Sequence, residues 1–187
     1  MGMKVVFVGP PGAGKGTQAE KIVAKYGLLH FSTGDMLRAA RDAKTPVGLK
    51  AEEFMSAGKL VPDDVIIAII VERIAQPDTA RGFLLDGFPR TVVQAQELDK
   101  CLTASGDKLD VVLELRVPEE ELFTRLASRG RADDKPEVIR QRLVAYHDLT
   151  APLVGYYTEA GILKSIDGLG TVDDIFGRIE TVLDQYK

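Results

Sequence analysis

One short stretch constrains this chain more than any other: the apolar run VVFV at residues 5–8 leads directly into GPPGAGKGT at 9–17. A buried strand that breaks into a glycine-rich turn and then opens a helix is the setting in which backbone amides can wrap an anion. The glycines leave those amides free, the helix N-terminus adds positive potential, and Lys15 adds a full charge. A tight strand-to-helix turn would account for the glycines on steric grounds, but it has no need of Lys15. The loop departs from the pattern G-x-x-x-x-G-K-[ST] at Gly16, where the usual magnesium-binding hydroxyl is missing. The next hydroxyl, Thr17, lies about 100° further around the helix. Thr17 can still meet a phosphate, whereas a metal would rely on phosphates, waters and an acid from elsewhere.

Four more short apolar runs, at 28–31, 83–85, 111–117 and 162–166, alternate with helical patterns at 14–26, 65–75, 91–101, 118–128, 136–160 and 171–186. This alternation predicts an α/β fold, a five-stranded parallel sheet with helices on both faces. Pro152 should break or kink the fifth helical pattern, because proline removes an amide and clashes with the preceding turn. Residues 32–61 read as helical throughout, with breaks at Pro46 and Gly58, and are expected to form a mobile insertion between strands. Residues 128–135, SRGRADDK, join two helices as a charged loop.

With 187 residues and 45% hydrophobic content, the chain can bury one full core. Its net charge of -4 argues against nucleic acid or a membrane surface as partner, since both are polyanionic. The first residues hold too short an apolar run for a secretory signal, and nothing approaches a membrane span. One cysteine, Cys101, cannot form an internal disulfide, and two histidines with one cysteine cannot supply a Cys/His zinc site. A reducing, cytoplasmic setting is expected.

In FLLDGFPRTVVQ, residues 83–94, an apolar strand ends in Asp86, at the carboxyl edge where ligands bind in open parallel sheets. Asp86 is a candidate for holding magnesium through water; a turn-forming Asp before Gly87 is the alternative. Arg90 presents a planar fork suited to phosphate, at a helix start where the macrodipole disfavours a merely solvated arginine. Gln94, one turn on, carries a donor and an acceptor, as reading a base edge requires. Arg125, Arg129, Arg131, Arg140 and Arg142 crowd into eighteen residues. Asp133 and Asp134 could pair with some of them at the surface. Together with Arg38 and Arg90, however, the set could neutralise two phosphorylated ligands across one cleft. His30 and His147 lie far apart amid apolar neighbours and read as structural. A phosphate acceptor is already an anionic nucleophile, so alignment and charge stabilisation would suffice without a general base.

The successive motifs GPPGAGKGTQ, STGDMLR, GKLVPDD, LLDGFPRTVVQ, RGRADD and RQRLVAYHDLTAPL resemble those of the adenylate kinases, in order, from about residue 3 to the C-terminus. The form G-K-G-T is the one that family uses, so Gly16 points toward nucleoside monophosphate kinases. The resemblance implies a P-loop NTPase fold forming a single kinase domain over 1–187, with a helical monophosphate-binding insertion at 32–61 and a short lid loop at 128–138. It implies reversible Mg²⁺-dependent transfer from ATP to AMP giving two ADP, by a monomer without zinc. Gly12, Ala13, Gly14, Lys15, Gly16 and Thr17 would cradle the ATP phosphates. Arg125 and Arg129 would face ATP, and the backbone near Gly170 its adenine. Thr33, Arg38, Lys59, Leu60, Val61, Gly87, Phe88, Pro89, Arg90 and Gln94 would bind AMP. Arg131 and Arg142 would bridge toward the AMP phosphate, while Asp86, and less directly Asp35, would order waters around magnesium. A UMP/CMP kinase shares fold and loop and is the nearest alternative. A nucleotide-binding switch is another, although no Asn-Lys-x-Asp guanine motif is evident.

Overall fold

The computed structural model describes residues 2–131 and 134–187. In chain order its regular elements are β1 (Lys4–Val8), α1 (Lys15–Tyr26), β2 (Leu29–Ser32), α2 (Thr33–Asp42), α3 (Pro46–Ser56), α4 (Asp63–Ile74), β3 (Phe83–Asp86), α5 (Val92–Ala104), β4 (Val111–Arg116), α6 (Glu119–Arg129), α7 (Pro136–Ala145), α8 (Pro152–Glu159), β5 (Leu163–Asp167) and α9 (Val172–Leu183). All strand pairs are parallel, and the sheet order is β2-β3-β1-β4-β5. The chain crosses from β1 to the edge strand β2, returns to β3 beside β1, and then passes to β4 and β5 on the other side of β1. The loop after β1 emerges at the carboxyl edge of the sheet where the direction of crossing reverses, which is where open α/β sheets bind ligands.

Strand β1 is buried at every position because helices cover both sheet faces and side chains alternate along a strand. Val5 and Phe7 enter one core with Ile22 of α1, Leu122 and Leu126 of α6, Leu143 of α7 and Ile179 of α9. Val6 and Val8 enter the other with Ile70 of α4, Leu98 of α5 and Tyr157 of α8. This two-sided burial is why the strands read as continuous apolar runs.

Residues 32–61 fold as α2 and α3, joined by a short turn. The two helices pack closely at Gly48, where a Cβ would fall 2.2 Å from the Ala40 backbone. Leu37 and Ala51 carry the pair into the second core. The break at Gly58 has a structural reason: it adopts φ +69°, and a Cβ there would sit 2.9 Å from the Val138 carbonyl of α7. The tip of the insertion thus touches the helix that follows the charged loop.

The helical pattern at 136–160 divides where Pro152 requires it to. A π-helical turn, Tyr146–Thr150, separates α7 from α8, and Ala151 N–H donates to the Tyr146 carbonyl at 2.8 Å. The wider turn accommodates the amide that proline lacks. A 3-10 turn at Pro77–Arg81, before β3, was not expected from periodicity. Among the described residues no helix is long and apolar enough to cross a membrane.

Candidate active site

The glycine loop is held open by its own backbone. Gly12 and Gly14 have φ of +82° and +94°, which side-chain-bearing residues rarely adopt, and a Cβ on Gly12 would lie 2.8 Å from Leu126 Cγ. Gly14 is the N-cap of α1, so the first free amides of that helix face the cleft. Gly16 differs: it is exposed, and a Cβ there would meet nothing within 4 Å. Packing does not demand glycine at that position, and the space beside it stays open.

Lys15 is the first residue of α1, and its Nζ donates to the carbonyls of Gly9 at 2.7 Å and Pro10 at 3.1 Å. Part of the side chain still borders the cleft, yet enclosure by protein pulls its pKa down from 10.5 to about 8. Asp86 opposes that shift, while Arg90, Arg142 and Arg129 add to it. Asp86 ends β3 across the loop, with only 12% of its side chain exposed. Burial alone would raise its pKa, but His30, whose Nε2 lies 3.6 Å away, outweighs this together with Lys15 and Arg90, and the carboxyl is held below its usual range. An ionised acid at the carboxyl edge, beside the phosphate loop, suits a hydrated divalent cation. No group of three or more His, Cys, Asp or Glu that could hold a metal gathers among the described residues, so Asp86 would act through water, with phosphates as the other donors.

A cleft of about 430 Å³ runs from this loop to the insertion. Gly12, Gly14, Lys15, Gly16, Thr17, Asp35, Asp86, Gly87, Arg38, Arg90, Arg125, Arg129, Arg131 and Arg142 all line it. Ala13 has its side chain buried, and its carbonyl accepts from Arg125 Nη1 at 3.3 Å. Six guanidinium groups from four separate parts of the sequence therefore border one space. Arg140 does not line it and is exposed on α7.

An adjoining cavity on the insertion side is lined by Thr33, Arg38, Lys59, Leu60, Val61, Gly87, Arg90, Gln94 and Arg142, together with apolar Leu37, Met55 and Ile66. Gln94 is 2% exposed, its Oε1 accepting from Arg90 N–H and its Nε2 donating to Asp63 Oδ1, each at 2.7 Å. Phe88 and Pro89 do not line this cavity. Phe88 belongs to the second core, and Pro89 borders a small space between Lys15 and Arg142. Thr33 Oγ1 donates to the Asp86 carbonyl at 3.4 Å, which ties the start of the insertion to the end of β3. Arg38 pairs with Asp35 one turn earlier on α2, and Asp35 is correspondingly held below the usual carboxylate range although its partial burial works the other way.

On the opposite side Arg125 links three segments: Nε to Glu121 at 2.8 Å, Nη1 to the phosphate loop at Ala13, and Nη2 to the Gly168 carbonyl at 3.0 Å. Gly170 is not among the residues lining the cleft. It stands two residues beyond that contact at φ +114°, just before the Thr171–Asp174 capping box of α9. In the charged loop Ala132 and Asp133 lie outside the described residues. Asp134, its side chain 3% exposed, accepts from Arg129 Nε at 3.0 Å and Nη2 at 2.5 Å and from Arg131 N–H at 2.8 Å; Arg142 Nη1 approaches to 3.7 Å. Burial works against ionisation of Asp134, but these donors prevail and hold its pKa low. The two readings of the arginines thus meet: an acid pairs with them, and they still border the cleft. Sequence reasoning did not single out Asp63, whose position after Pro62 reads only as an acidic residue in a helix's first turn.

Comparison with known proteins places this arrangement in context. Residues 7–162 match the family model described as "Adenylate kinase". A relative from Methylobacterium nodulans named adenylate kinase is 49% identical over 191 residues, covering 97% of this chain and 96% of the relative. One of the same name from Nitrobacter winogradskyi is 52% identical, covering 97% and 93%. A third, from Carboxydothermus hydrogenoformans, is 46% identical, covering 97% and 99%. That alignment spans 212 residues, more than the 187 of this chain, so the relative carries residues that have no counterpart here.

Proposed function

The chain belongs to the adenylate kinase family, and from that premise we propose that it is a phosphotransferase moving the γ-phosphoryl group of ATP reversibly to AMP, giving two ADP. The observation that carries this reading is the convergence of six guanidinium groups and Lys15 on one cleft of about 430 Å³, which adjoins a second cavity on the insertion side. A switch protein binding one nucleotide has no use for so many cations. Two phosphorylated ligands held end to end repel each other, and that repulsion must be cancelled before they can react.

In this reading residues 12–17 hold the ATP phosphates, with the Gly12 and Gly14 turns aiming amides at them and Lys15 exchanging its loop carbonyls for phosphate oxygens. Arg125 and Arg129 flank ATP, and the backbone near Gly170 borders its adenine. Arg38 and Arg90 clamp the AMP phosphate with bidentate forks, while Arg131 and Arg142 lie between the two ligands. Thr33, Gly87 and the backbone at Lys59 to Val61 wall the AMP side, with Phe88 packed in the core behind Gly87. Gln94 reads the base beside apolar Leu37, Met55 and Ile66. A magnesium ion bound through water at Asp86 would supply further neutralisation of phosphate charge. The AMP phosphate is itself the nucleophile, so catalysis consists of alignment and electrostatic stabilisation, without a general base. Residues 32–61 serve as the monophosphate-binding insertion and 128–138 as a short lid that excludes water, which would otherwise compete as acceptor. Only residues 130–135 separate α6 from α7, which supports a short lid. A single domain over 1–187, acting as a cytoplasmic monomer on free nucleotides, completes the proposal.

A coupled assay with AMP, UMP, CMP and GMP in parallel tests it. AMP is expected to be turned over far better than the others. UMP turnover equal to or above that of AMP would make the chain a pyrimidine nucleotide kinase, and ATP consumption independent of AMP would make it a switch.

A further inference from the structure

A glutamine that reads a base is useful only if its amide cannot flip, because nitrogen and oxygen ask for opposite partners. The surroundings of Gln94 impose one orientation from both sides. Arg90 N–H is a donor, so the oxygen must face it, at 2.7 Å. Asp63 Oδ1 only accepts, so the nitrogen must face that side, also at 2.7 Å. The same Oδ1 accepts from Thr91 Oγ1 at 3.1 Å, and Thr91 Oγ1 in turn caps α5 by accepting from Gln94 N–H at 3.2 Å. Asp63 opens α4 and Thr91 caps α5, so the network pins two helix starts together at the cavity wall.

After these bonds Gln94 keeps one N–H and one oxygen lone pair, and the residue lines the insertion-side cavity. A fixed amide offers them in one order only. Adenine presents a ring-nitrogen acceptor next to an amino donor. Hypoxanthine, of the same size, presents an N–H next to a carbonyl and would need the amide reversed. We infer that Asp63 is a specificity-setting positioning residue, which locks the Gln94 amide so that the monophosphate site takes an amino-purine and rejects its keto counterpart. This rests on the proposed function, specifically on Gln94 facing the base.

The test compares kcat/KM for AMP and for inosine monophosphate, at saturating ATP, in the wild type, Asp63→Ala, Asp63→Asn and Gln94→Ala. Asp63→Ala is expected to narrow the AMP preference about tenfold, the size of one hydrogen bond to a charged group, through KM for AMP and with KM for ATP unchanged. Asp63→Asn keeps the shape and an acceptor but can itself flip; it should narrow the preference about threefold, and it decides the matter if the alanine variant fails to fold. A purely structural Asp63 would weaken both monophosphates alike and leave the ratio untouched, which overturns the inference. A ratio altered by Gln94→Ala but by neither Asp63 variant also overturns it while leaving the proposed function standing. A wild type with no preference for AMP removes the base reading and the inference together.

Discussion

The glycine loop at 9–17 and the arginines at 125–142 border the same cleft, yet they are made ready for anions in opposite ways. The loop has its shape before any ligand arrives: positive φ at Gly12 and Gly14 and the contact with Leu126 fix the amides. Its one charge depends on pH, because Lys15 is enclosed by protein, bent back onto two carbonyls, and has its pKa pulled down to about 8. The arginine rim carries its charge at any physiological pH, but a carboxylate, Asp134, holds much of its geometry. Geometry written into the backbone costs nothing to reorganise at the moment of binding, whereas geometry held by an ion pair must be exchanged or shared. The loop is therefore the rigid reference, and the rim is the part that adjusts.

The largest effect should come from the loop. Lys15→Met removes its only full charge while leaving the glycine geometry, and turnover should fall by at least ~10²-fold, as for loss of one transition-state donor. Steady-state assays on the purified, folded variant check this. Near-normal turnover would mean that the amides and the rim suffice, and the division of labour between the two regions would be wrong.

The rim is tested by Asp134→Asn, which keeps the shape but removes the charge that orients Arg129 and approaches Arg142. Two of the five Arg129 donors go to Asp134, which leaves the others for phosphate, so the carboxylate acts as a guide as well as a counter-ion. Turnover should drop about tenfold, in line with weakening hydrogen bonds between charged groups. A variant that binds ATP more tightly and turns over as fast would instead mark Asp134 as a competitor for the arginines.

The same contrast explains what the sequence made legible. The loop could be read because its determinants are local: a strand, glycines and a lysine at fixed spacing. The alternation of strands and helices was equally local, and it led to the parallel sheet with small shifts, such as β5 beginning at Leu163 rather than one residue earlier. The arginines were visible as a crowd, but which of them share the cleft depends on helix phase and loop path, and Arg140 turned outward while its neighbour two residues on did not. Asp134 was noted as a surface partner, without any sign that it would be buried. Asp63 lay inside the motif GKLVPDD but received no role from it, since its partners Thr91 and Gln94 are 28 and 31 residues away and an acid at a helix start has an ordinary explanation. Sheet order was not legible either, because pairing between non-consecutive strands is set by how helices fill the two faces.

The smallest effect sharpens the comparison most directly, because it reads how the loop's one charge depends on pH. With a pKa lowered from 10.5 to about 8, chiefly by burial, Lys15 is about half neutral at pH 8 in the free protein. Its unfolded pKa is the higher one, so between about pH 8 and 10.5 the unfolded chain binds more protons, and the native state gains stability from this group as pH rises through that window. Below about pH 8 both states are protonated, and the folded loop carries the full penalty of a buried charge. An anionic phosphate supplies the missing partner and raises the pKa again, so nucleotide binding at pH 8 should take up about half a proton through Lys15, and almost none near pH 6.5. Calorimetry of a non-hydrolysable ATP analogue in two buffers of different protonation enthalpy measures this uptake. The phosphate's own titration is removed by subtracting the same measurement on Lys15→Met. An arginine rim contributes nothing here, since its groups do not titrate, so the difference isolates the loop. If wild type and variant take up equal numbers of protons at pH 8, Lys15 is already fully charged in the free protein, and the loop is as complete in charge as it is in shape.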